Sequence, residues 1–347
     1  MPRSETAPVR PGEELDDAAL GAYLDAKLAG GAGRLRVEQF PGGHSNLTYL
    51  IQTSRAEYVL RRAPLGPVPP KAHDMVREYG VLKAVHEAFP EAPRVEHLCE
   101  DASVIGAPFF LMERRRGVIL RHSVPEAVAS QPDHSRRVSE GFVDCLVRLH
   151  RIDARRGALA ALGKPEGFLE RQIRGWSERW ARARTGELRA MDELAEWLAR
   201  RRPESQGPVI VHNDYKLDNL MLDAADCGRV AAVLDWEMAT VGDPLVDLGM
   251  ALCYWAPPAD TGAVRCFSRG QRWFTAQEVI ERYAAGTGFD VSNAGYYHVF
   301  GVFKLAVIIQ QIYYRYHVGQ TRDERFREFG ERARVLAEAG REMAERG

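Results

Sequence analysis

The sequence predicts an α+β fold in which a small antiparallel β-sheet precedes a larger, mostly helical region. Segments that alternate between apolar and polar residues are concentrated in the first third of the 347 residues, and helical periodicity dominates after Gly117. Strands and helices do not alternate as βαβ units, so a parallel sheet is not expected. We expect a first domain of residues 1–113, whose residues 1–12 are mobile, and a second of residues 114–347.

The first domain is predicted to begin with a helix over residues 14–29, whose apolar side chains share one face. Three short strands follow in the segments LRVEQF, LTYLIQT and YVLRR. Turns rich in Gly or polar residues connect them, which is typical of an antiparallel meander. A second helix is predicted over residues 72–88, and the segments VEHL and PFFLMER would complete a sheet of five strands.

The second domain is predicted to be mainly helical. Val138, Phe142, Leu146 and Leu149 recur at helical spacing, and residues 167–202 are rich in Arg, Trp and Glu. Two or three short strands, in the segments VIV, NLML and RVAAVLD, interrupt the helices. The aromatic residues of this domain are expected to lie mostly in its core.

The composition is that of an ordinary soluble globular protein, with 45% hydrophobic and 27% charged residues. Lys and Arg number 47 against 48 Asp and Glu, and this balance argues against a dedicated nucleic-acid binder. The five Cys lack metal-binding spacing, as expected for reduced thiols in the cytoplasm. We expect no membrane association, because the N-terminus is polar and the apolar run 299–309 is short and interrupted by Lys304.

The stretch VIVHNDYKLDNLML places a dense group of polar side chains between two apolar flanks. Its spacing is H-x-D-x-K-x-x-N, formed by His212, Asp214, Lys216 and Asn219. The next apolar strand, RVAAVL, is followed closely by Asp235. Because all three adjoin predicted strand ends, we expect Asp214, Asn219 and Asp235 to converge.

These residue types suit phosphoryl transfer from ATP. Mg²⁺ ions must hold the triphosphate, and Mg²⁺ prefers oxygen ligands of the kinds that Asn219 and Asp235 supply. Asp214 can orient the acceptor hydroxyl and take its proton, and Lys216 can offset charge on the transferring group. The sequence therefore predicts ATP and Mg²⁺ as cofactors, two catalytic residues and two metal ligands. Glu237 and Asp243 are further candidates, for a second metal ion or for holding the loop.

The first domain carries matching candidates for nucleotide binding. The turn PGGHSN contributes Gly43, Ser45 and Asn46, because glycine lets the backbone approach phosphates, but a plain hairpin turn has the same signature. Arg61 in YVLRR can hold the α- and β-phosphates, with Glu78 of the next helix as its partner. The alternative is a pair of solvent-facing arginines on an edge strand. FFLMERRRG predicts a buried strand that leads into a hinge, where backbone amides could meet adenine.

With these motifs the chain resembles the aminoglycoside phosphotransferase / choline kinase-like family, which has a protein-kinase-like, two-lobed fold. HNDYKLDN resembles the Brenner-type catalytic loop, and LDWEMATVGDPLVDLG resembles the metal-binding segment. FPGGHSNLTYLI and YVLRR resemble the nucleotide loop and the strand that follows it. The similarity extends from about residue 30 to about residue 330, and includes the subgroup similar to the kinase-like domains joined to acyl-CoA dehydrogenases.

The resemblance implies a nucleotide-binding first lobe and a helical second lobe with the catalytic loop and acceptor site. It implies Asp214 as the base, with Asn219 and Asp235 as Mg²⁺ ligands. The other implied roles are phosphate binding by Arg61 with its partner Glu78, adenine binding by the main chain of Glu113 and Arg115, and bracing of the catalytic loop by His212 and Asp247.

Three residues depart from the family pattern. Arg61 stands where many kinases place Lys, and its forked guanidinium allows a different phosphate geometry. Asn213 occupies a position that is often Gly, so we expect it to accommodate backbone strain. Lys216 resembles protein kinases more than typical aminoglycoside enzymes, which often carry His there. None of these changes removes the predicted base or metal ligands.

The predicted function is therefore an ATP- and Mg²⁺-dependent phosphotransferase that moves the γ-phosphate to a hydroxyl of a small molecule. The alternatives are a nucleotide-binding pseudokinase that acts as a scaffold, and an adenylyl transferase on the same fold. The Arg and aromatic residues of the second domain favour a neutral or anionic, partly apolar acceptor, such as an acyl derivative. The sequence does not indicate an oligomeric state.

Overall fold

The computed structural model of the chain describes residues 5–41, 46–64, 74–121, 123–259, 262 and 272–346. The chain divides into two compact units. The first comprises Met1–Arg116 with Ala232–Glu237, and the second comprises Gly117–Ala231 with Met238–Gly347. A short segment from late in the sequence therefore belongs to the first unit. Its Val233 N–H donates to the carbonyl of Glu91 at 2.8 Å, which attaches the segment to the chain that follows the second helix.

The first unit contains a five-stranded antiparallel sheet, which confirms the sequence prediction. The strands run in the order β1-β2-β3-β5-β4. Their bounds are β1 (Arg36–Gln39), β2 (Leu47–Gln52), β3 (Glu57–Arg62), β4 (Val95–Cys99) and β5 (Phe109–Glu113). Strand β3 lies inside the sheet, where Arg61 is in register with Thr48 of β2 and Phe110 of β5. This position determines the surroundings of the candidate phosphate-binding arginine.

Two helices accompany this sheet, α1 (Asp17–Lys27) and α2 (Met75–His86). Both begin three residues later than the sequence predicts, because an aspartate caps each N-terminus. Asp16 accepts from the Ala19 N–H and Asp74 accepts from the Arg77 N–H, both at 2.9 Å. The apolar face of α1 packs in one core with side chains of β2, β3 and β5. Within residues 5–12, which the sequence predicts to be mobile, Ala7 exchanges backbone hydrogen bonds with Gln39 at 2.9 and 2.8 Å.

The second unit is mainly helical. Its helices are α3 (Glu126–Ala129), α4 (His134–His150), α5 (Phe168–Ala183), α6 (Arg189–Arg200), α7 (Pro244–Trp255), α8 (Ala276–Thr287), α9 (Ala294–His317) and α10 (Phe329–Arg346). Short strands lie among them: β6 (Val209–Val211), β7 (Leu220–Leu222) and β9 (Thr240–Gly242). A further strand, β8 (Val230–Val233), begins in this unit and ends in the segment that belongs to the first. Strand β6 pairs with β9, and β7 pairs with β8.

Helices α7 and α9 approach each other through two glycines. A Cβ atom added at Gly249 would lie 2.1 Å from the carbonyl oxygen of Tyr297, and one added at Gly301 would lie 2.5 Å from the carbonyl oxygen of Gly249. Both distances are far below van der Waals contact, so the two backbones can touch only because neither position carries a side chain. The close approach positions α9, and Lys304 on it, against α7.

Helix α9 spans 24 residues and is largely buried. Among the residues that the structure describes, however, no helix has the length and apolar character required to cross a membrane.

Candidate active site

The predicted catalytic loop follows strand β6 in the second unit and is held by a carboxylate of α7. The backbone N–H groups of His212 and Asn213 both donate to the carboxylate of Asp247, the second at 2.6 Å. Asn213 has a φ of 65°, so it takes the left-handed conformation, in which a residue other than glycine is strained. The loop is thus strained at Asn213, and the two hydrogen bonds to Asp247 hold it in this conformation.

Asp247 is buried, yet its surroundings favour the charged form. Burial acts to raise its pKa, but His150, which lies 3.3 Å from the carboxylate, and the amide of His212 outweigh it, so the pKa lies below its ordinary value. Asp247 lies in the first turn of helix α7. Asp243 caps the N-terminus of this helix by accepting a hydrogen bond from the Leu245 N–H at 2.9 Å, and so fixes where the helix begins. Asp247 therefore places a fixed negative charge against the backbone N–H groups of His212 and Asn213.

Asp214 is the centre of the loop's polar contacts. Its Oδ2 atom accepts from Lys216 Nζ at 2.7 Å and from Asn219 Nδ2 at 2.9 Å. The hydroxyl of Tyr254, on α7, donates to the other oxygen at 3.4 Å. Burial, reinforced by the negative charge of Asp214, raises the pKa of Tyr254 well above its ordinary value, so the phenol keeps its proton. The structure thus brings two other predicted residues, Lys216 and Asn219, to the half-buried carboxylate of Asp214, whose side chain is 19% exposed.

The orientation of Asn219 suits a metal ligand. Its amide nitrogen makes both hydrogen bonds to Asp214, one to the carboxylate and one to the backbone carbonyl, each at 2.9 Å. These contacts do not use the amide oxygen, and oxygen is the atom that Mg²⁺ takes from an amide. The residue therefore fits the role that the sequence predicts for it.

Arg61 lies between two carboxylates of the first unit. Its Nη1 atom is 3.2 Å from Glu78 on α2, and its Nη2 atom donates to Asp235 at 2.9 Å. Arg61 is 8% exposed and Glu78 is 1% exposed. The alternative of two solvent-facing arginines on an edge strand is therefore wrong, because β3 is an interior strand and Arg62 is buried as well.

Burial and charge oppose each other in this ion pair. Burial alone would lower the pKa of Arg61, but the carboxylates of Glu78 and Asp235 outweigh it and raise that pKa. Burial raises the pKa of Glu78 above its ordinary value, and the Arg61 guanidinium limits the rise. Asp235 itself has a φ of 67°, a conformation that is uncommon for a residue with a side chain.

The glycine-containing turn is described only at its end. Gly43 and Ser45 lie outside the described residues. Asn46 is buried, and its Nδ2 donates to Glu237 at 3.0 Å. The guanidinium of Arg77 donates to the backbone carbonyl of Glu237. Asn46 therefore contacts the segment that carries Asp235, within the first unit.

The predicted adenine-binding segment lies at the end of β5. The N–H of Glu113 donates to the carbonyl of Arg94 at 2.9 Å, so a nucleotide contact there would use the Glu113 carbonyl. The Arg115 side chain donates to the Glu113 carboxylate at 2.8 Å and to the carbonyl of Pro90 at 2.7 Å. These contacts hold the side chains of both residues in place.

Within the described part of the chain, no group of three or more His, Cys, Asp or Glu side chains is arranged to hold a metal ion. The predicted pair of ligands is of another kind, one amide and one carboxylate. Asn219 belongs to the second unit and Asp235 to the first.

The sequence interpretation missed two residues that contact the catalytic loop. Tyr254 reaches the Asp214 carboxylate, and Lys304 Nζ donates to the carbonyl of Asn213 at 2.7 Å. Tyr254 gives no signal in the sequence, because a tyrosine in an apolar helix is normally a core residue. Lys304 does give one: a single cation inside an apolar run must find a partner when the run is buried.

Comparison with known proteins identifies the family. The model of the phosphotransferase enzyme family matches residues 36–286. Acyl-CoA dehydrogenase family member 11 of Gallus gallus is 34% identical over 354 residues, covering 98% of this chain and 45% of that protein. Acyl-CoA dehydrogenase family member 10 of Mus musculus is 32% identical over 346 residues, covering 98% of this chain and 32% of that protein. The chain thus spans less than half the length of these curated relatives.

Solved structures of phosphotransferases are also similar to this chain. A Ralstonia eutropha JMP134 protein, provisionally assigned as an aminoglycoside phosphotransferase, has a TM-score of 0.81 and 30% identity, covering 96% of this chain and 99% of that one. A thermostable mutant of aminoglycoside phosphotransferase APH(4)-Ia, with AMP-PNP and hygromycin B, has a TM-score of 0.59 and 17% identity, covering 94% of this chain and 98% of that one. The second similarity concerns the fold alone. The fold is the protein-kinase-like α+β fold of these enzymes, and the chain belongs to the phosphotransferase enzyme family.

Proposed function

We propose that the protein is an ATP- and Mg²⁺-dependent kinase that moves the γ-phosphate to a hydroxyl of a small molecule. The observation that carries the proposal is the Asp214 carboxylate, held by Lys216 at 2.7 Å and by Asn219 at 2.9 Å. A half-buried carboxylate beside a cation and an amide suits a group that takes a proton next to a transferring phosphate.

In the proposed reaction the acceptor hydroxyl oxygen forms a bond to the γ-phosphorus, and the bond from that phosphorus to the β,γ-bridging oxygen breaks, leaving ADP. Asp214 orients the hydroxyl and accepts its proton. Lys216 places positive charge next to the arriving phosphoryl oxygens.

The nucleotide and metal would be held by the other predicted residues. Asn219 and Asp235 supply the amide and carboxylate oxygens that Mg²⁺ prefers. When bound, Mg²⁺ offsets the charge that develops on the phosphate oxygens. ATP would contact the turn through Gly43, Ser45 and Asn46, the β3 strand through Arg61 with Glu78 behind it, and the main chain of Glu113 and Arg115.

The charges near Asp214 support an anionic or neutral acceptor. Trp176 on α5 lies 4.7 Å from the Arg179 guanidinium and 5.2 Å from Lys304 Nζ. Both Arg179 and Lys216 act on Lys304 as repelling positive charges. A polycationic amino sugar would be repelled by the two accessible cations, Arg179 and Lys216, whereas a hydroxylated acid or acyl compound would be attracted.

The direct test is ADP release from Mg-ATP over a panel of amino sugars, choline, homoserine, hydroxy acids and hydroxyacyl thioesters. We expect turnover with one or more acceptors, anionic compounds ranking above amino sugars, and a loss of about 10²–10⁴-fold in kcat for Asp214→Asn. Asp218→Asn is the matched control, because Asp218 is an exposed carboxylate on the same loop. If Asp214→Asn turns over like Asp218→Asn, Asp214 is not the base.

The same assay separates the two alternatives. A pseudokinase would bind Mg-ATP and release no ADP with any acceptor. An adenylyl transferase would release pyrophosphate, and mass spectrometry would find AMP instead of phosphate on its product.

A further inference from the structure

Lys304 is a buried cation in the middle of α9. It is 1% exposed, and its Nζ donates to the backbone carbonyl of Asn213 at 2.7 Å. Nζ also lies 5.2 Å from the centre of the Trp176 ring, within the range of a cation–π contact. A buried ammonium group is unfavourable unless such partners compensate for the lost hydration, so this placement needs a reason.

The carbonyl that Lys304 contacts belongs to the peptide that leads directly to Asp214. The other polar atom of the same peptide, the Asp214 N–H, donates to His212 Nδ1 at 3.3 Å. Both ends of one peptide plane are therefore held. The orientation of that plane determines the direction in which the Asp214 side chain leaves the backbone.

Asn213 makes this support necessary. It takes the left-handed conformation, with a φ of 65°. Residues other than glycine are strained there and stay only when surrounding contacts hold them. Its N–H is held by Asp247 and its carbonyl by Lys304. Loss of the lysine would leave a buried carbonyl without this donor, and the peptide could rotate.

The position of Lys304 is itself well fixed. Gly301 lies one helical turn earlier and touches the backbone of α7 at Gly249. Burial lowers the pKa of Lys304 to about 8, while Asp214 and Asp247 oppose this fall, so the ammonium form predominates at neutral pH. A charged donor makes a stronger hydrogen bond to a carbonyl than a neutral one.

We propose that Lys304 is a positioning residue for phosphoryl transfer, which fixes the Asn213–Asp214 peptide and thereby aims the Asp214 carboxylate at the acceptor hydroxyl. This proposal rests on the proposed function of Asp214. It gives the long helix α9 a part in the reaction, although Lys304 touches neither nucleotide nor acceptor.

The test compares Lys304→Met with Gln310→Met. Gln310 is a matched control because it is also buried on α9 and also donates to a backbone carbonyl, that of Ala183 at 2.9 Å. We expect both variants to lower the Tm by similar amounts. Only Lys304→Met should lower kcat, by about 10–100-fold, with KM for Mg-ATP changed less than about threefold, since misalignment of a catalytic group acts on the transition state. Equal kcat values for the two variants would overturn the proposal.

Hydrogen exchange gives a second readout that needs no acceptor. We expect the amides of residues 212–214 to exchange faster in Lys304→Met and to be unchanged in Gln310→Met. Unchanged exchange in both variants would also refute the positioning role. If Lys304→Met does not fold, Lys304→Arg and Lys304→Gln replace it. The arginine keeps the charge and should retain the higher kcat, and equal kcat values for the pair would count against the proposal.

Asp214→Asn is measured in parallel to separate two kinds of failure. If Asp214→Asn retains turnover, the proposed function fails. If Asp214→Asn loses turnover and Lys304→Met keeps it, only the role of Lys304 is refuted.

Discussion

At the scale of single residues, the protonation of Lys304 links stability to pH. Its pKa in the folded chain is lowered to about 8 by burial, against about 10.4 for an unfolded lysine. Its charged and titratable neighbours are Asp214 and Lys216 on the catalytic loop, Asp247 and Cys253 on α7, and Arg179 on α5. Between these two pKa values the unfolded chain binds more protons, so the free energy of unfolding rises with pH.

We therefore predict that the difference in unfolding free energy between the wild type and Lys304→Met changes with pH. It should move in favour of the wild type by up to about 3 kcal/mol between about pH 8 and about pH 10.5, because the cost of burying the charge disappears as the amine loses its proton. Urea unfolding of both proteins across this range measures it. Parallel curves for the two proteins would mean that Lys304 titrates at its ordinary pKa.

At the scale of elements, the ion pair of Arg61 and Glu78 connects strand β3 to helix α2. Arg61→Met would leave the Glu78 carboxylate buried without its cation, so we expect the free energy of unfolding to fall by about 3–5 kcal/mol. The double variant Arg61→Met/Glu78→Leu should recover much of this loss, because the unpaired charge is gone.

Arg62→Met is the control for this prediction. Arg62 is also buried on β3, but its guanidinium donates to the carbonyl of Ile105 at 2.7 Å. Among the described residues, its removal leaves no carboxylate without its cation. We expect it to lower the free energy of unfolding by only about 1–2 kcal/mol. Urea denaturation of the wild type, the two single variants and the double variant measures these differences. Similar decreases in the free energy of unfolding for Arg61→Met and Arg62→Met would contradict the proposed cost of an unpaired Glu78.

The elements themselves were largely predictable from the sequence, and their partners were not. All five strands of the sheet were identified from the sequence, the first two by alternating residues, since a period of two is a local property. Whether β3 is interior or at an edge depends on which strands lie beside it, so the sequence left the burial of Arg61 open. The catalytic loop was recognised because its polar residues are close in sequence. Lys304 contacts that loop from a helix far along the chain, and no local pattern predicts such a contact.

At the scale of the whole molecule, the proposed kinase should respond to nucleotide and metal together. Mg-ATP at about 100 times its Kd should raise the free energy of unfolding by about 2.7 kcal/mol. Removing Mg²⁺ with EDTA should weaken this effect, because the triphosphate loses the ion that links it to the proposed oxygen ligands. Thermal unfolding with ATP, with and without Mg²⁺, measures the increment.

Asp235→Asn should abolish the increment that depends on Mg²⁺, and Asp218→Asn should keep it. An equal shift in Tm for ATP with Mg²⁺ and ATP with EDTA would rule out the proposed metal dependence. This experiment requires no knowledge of the acceptor.

The two glycines at the contact of α7 and α9 make the geometry of the site sensitive to a remote methyl group. Gly249 lies two residues after the aspartate that holds the loop's amides, and Gly301 lies three residues before the lysine that holds its carbonyl. An alanine at either position would push the helices apart and pull on both supports at once. The distance between helices α7 and α9 thus controls the alignment of the proposed base. Related chains that lack one of these glycines should therefore show a compensating change on the other helix.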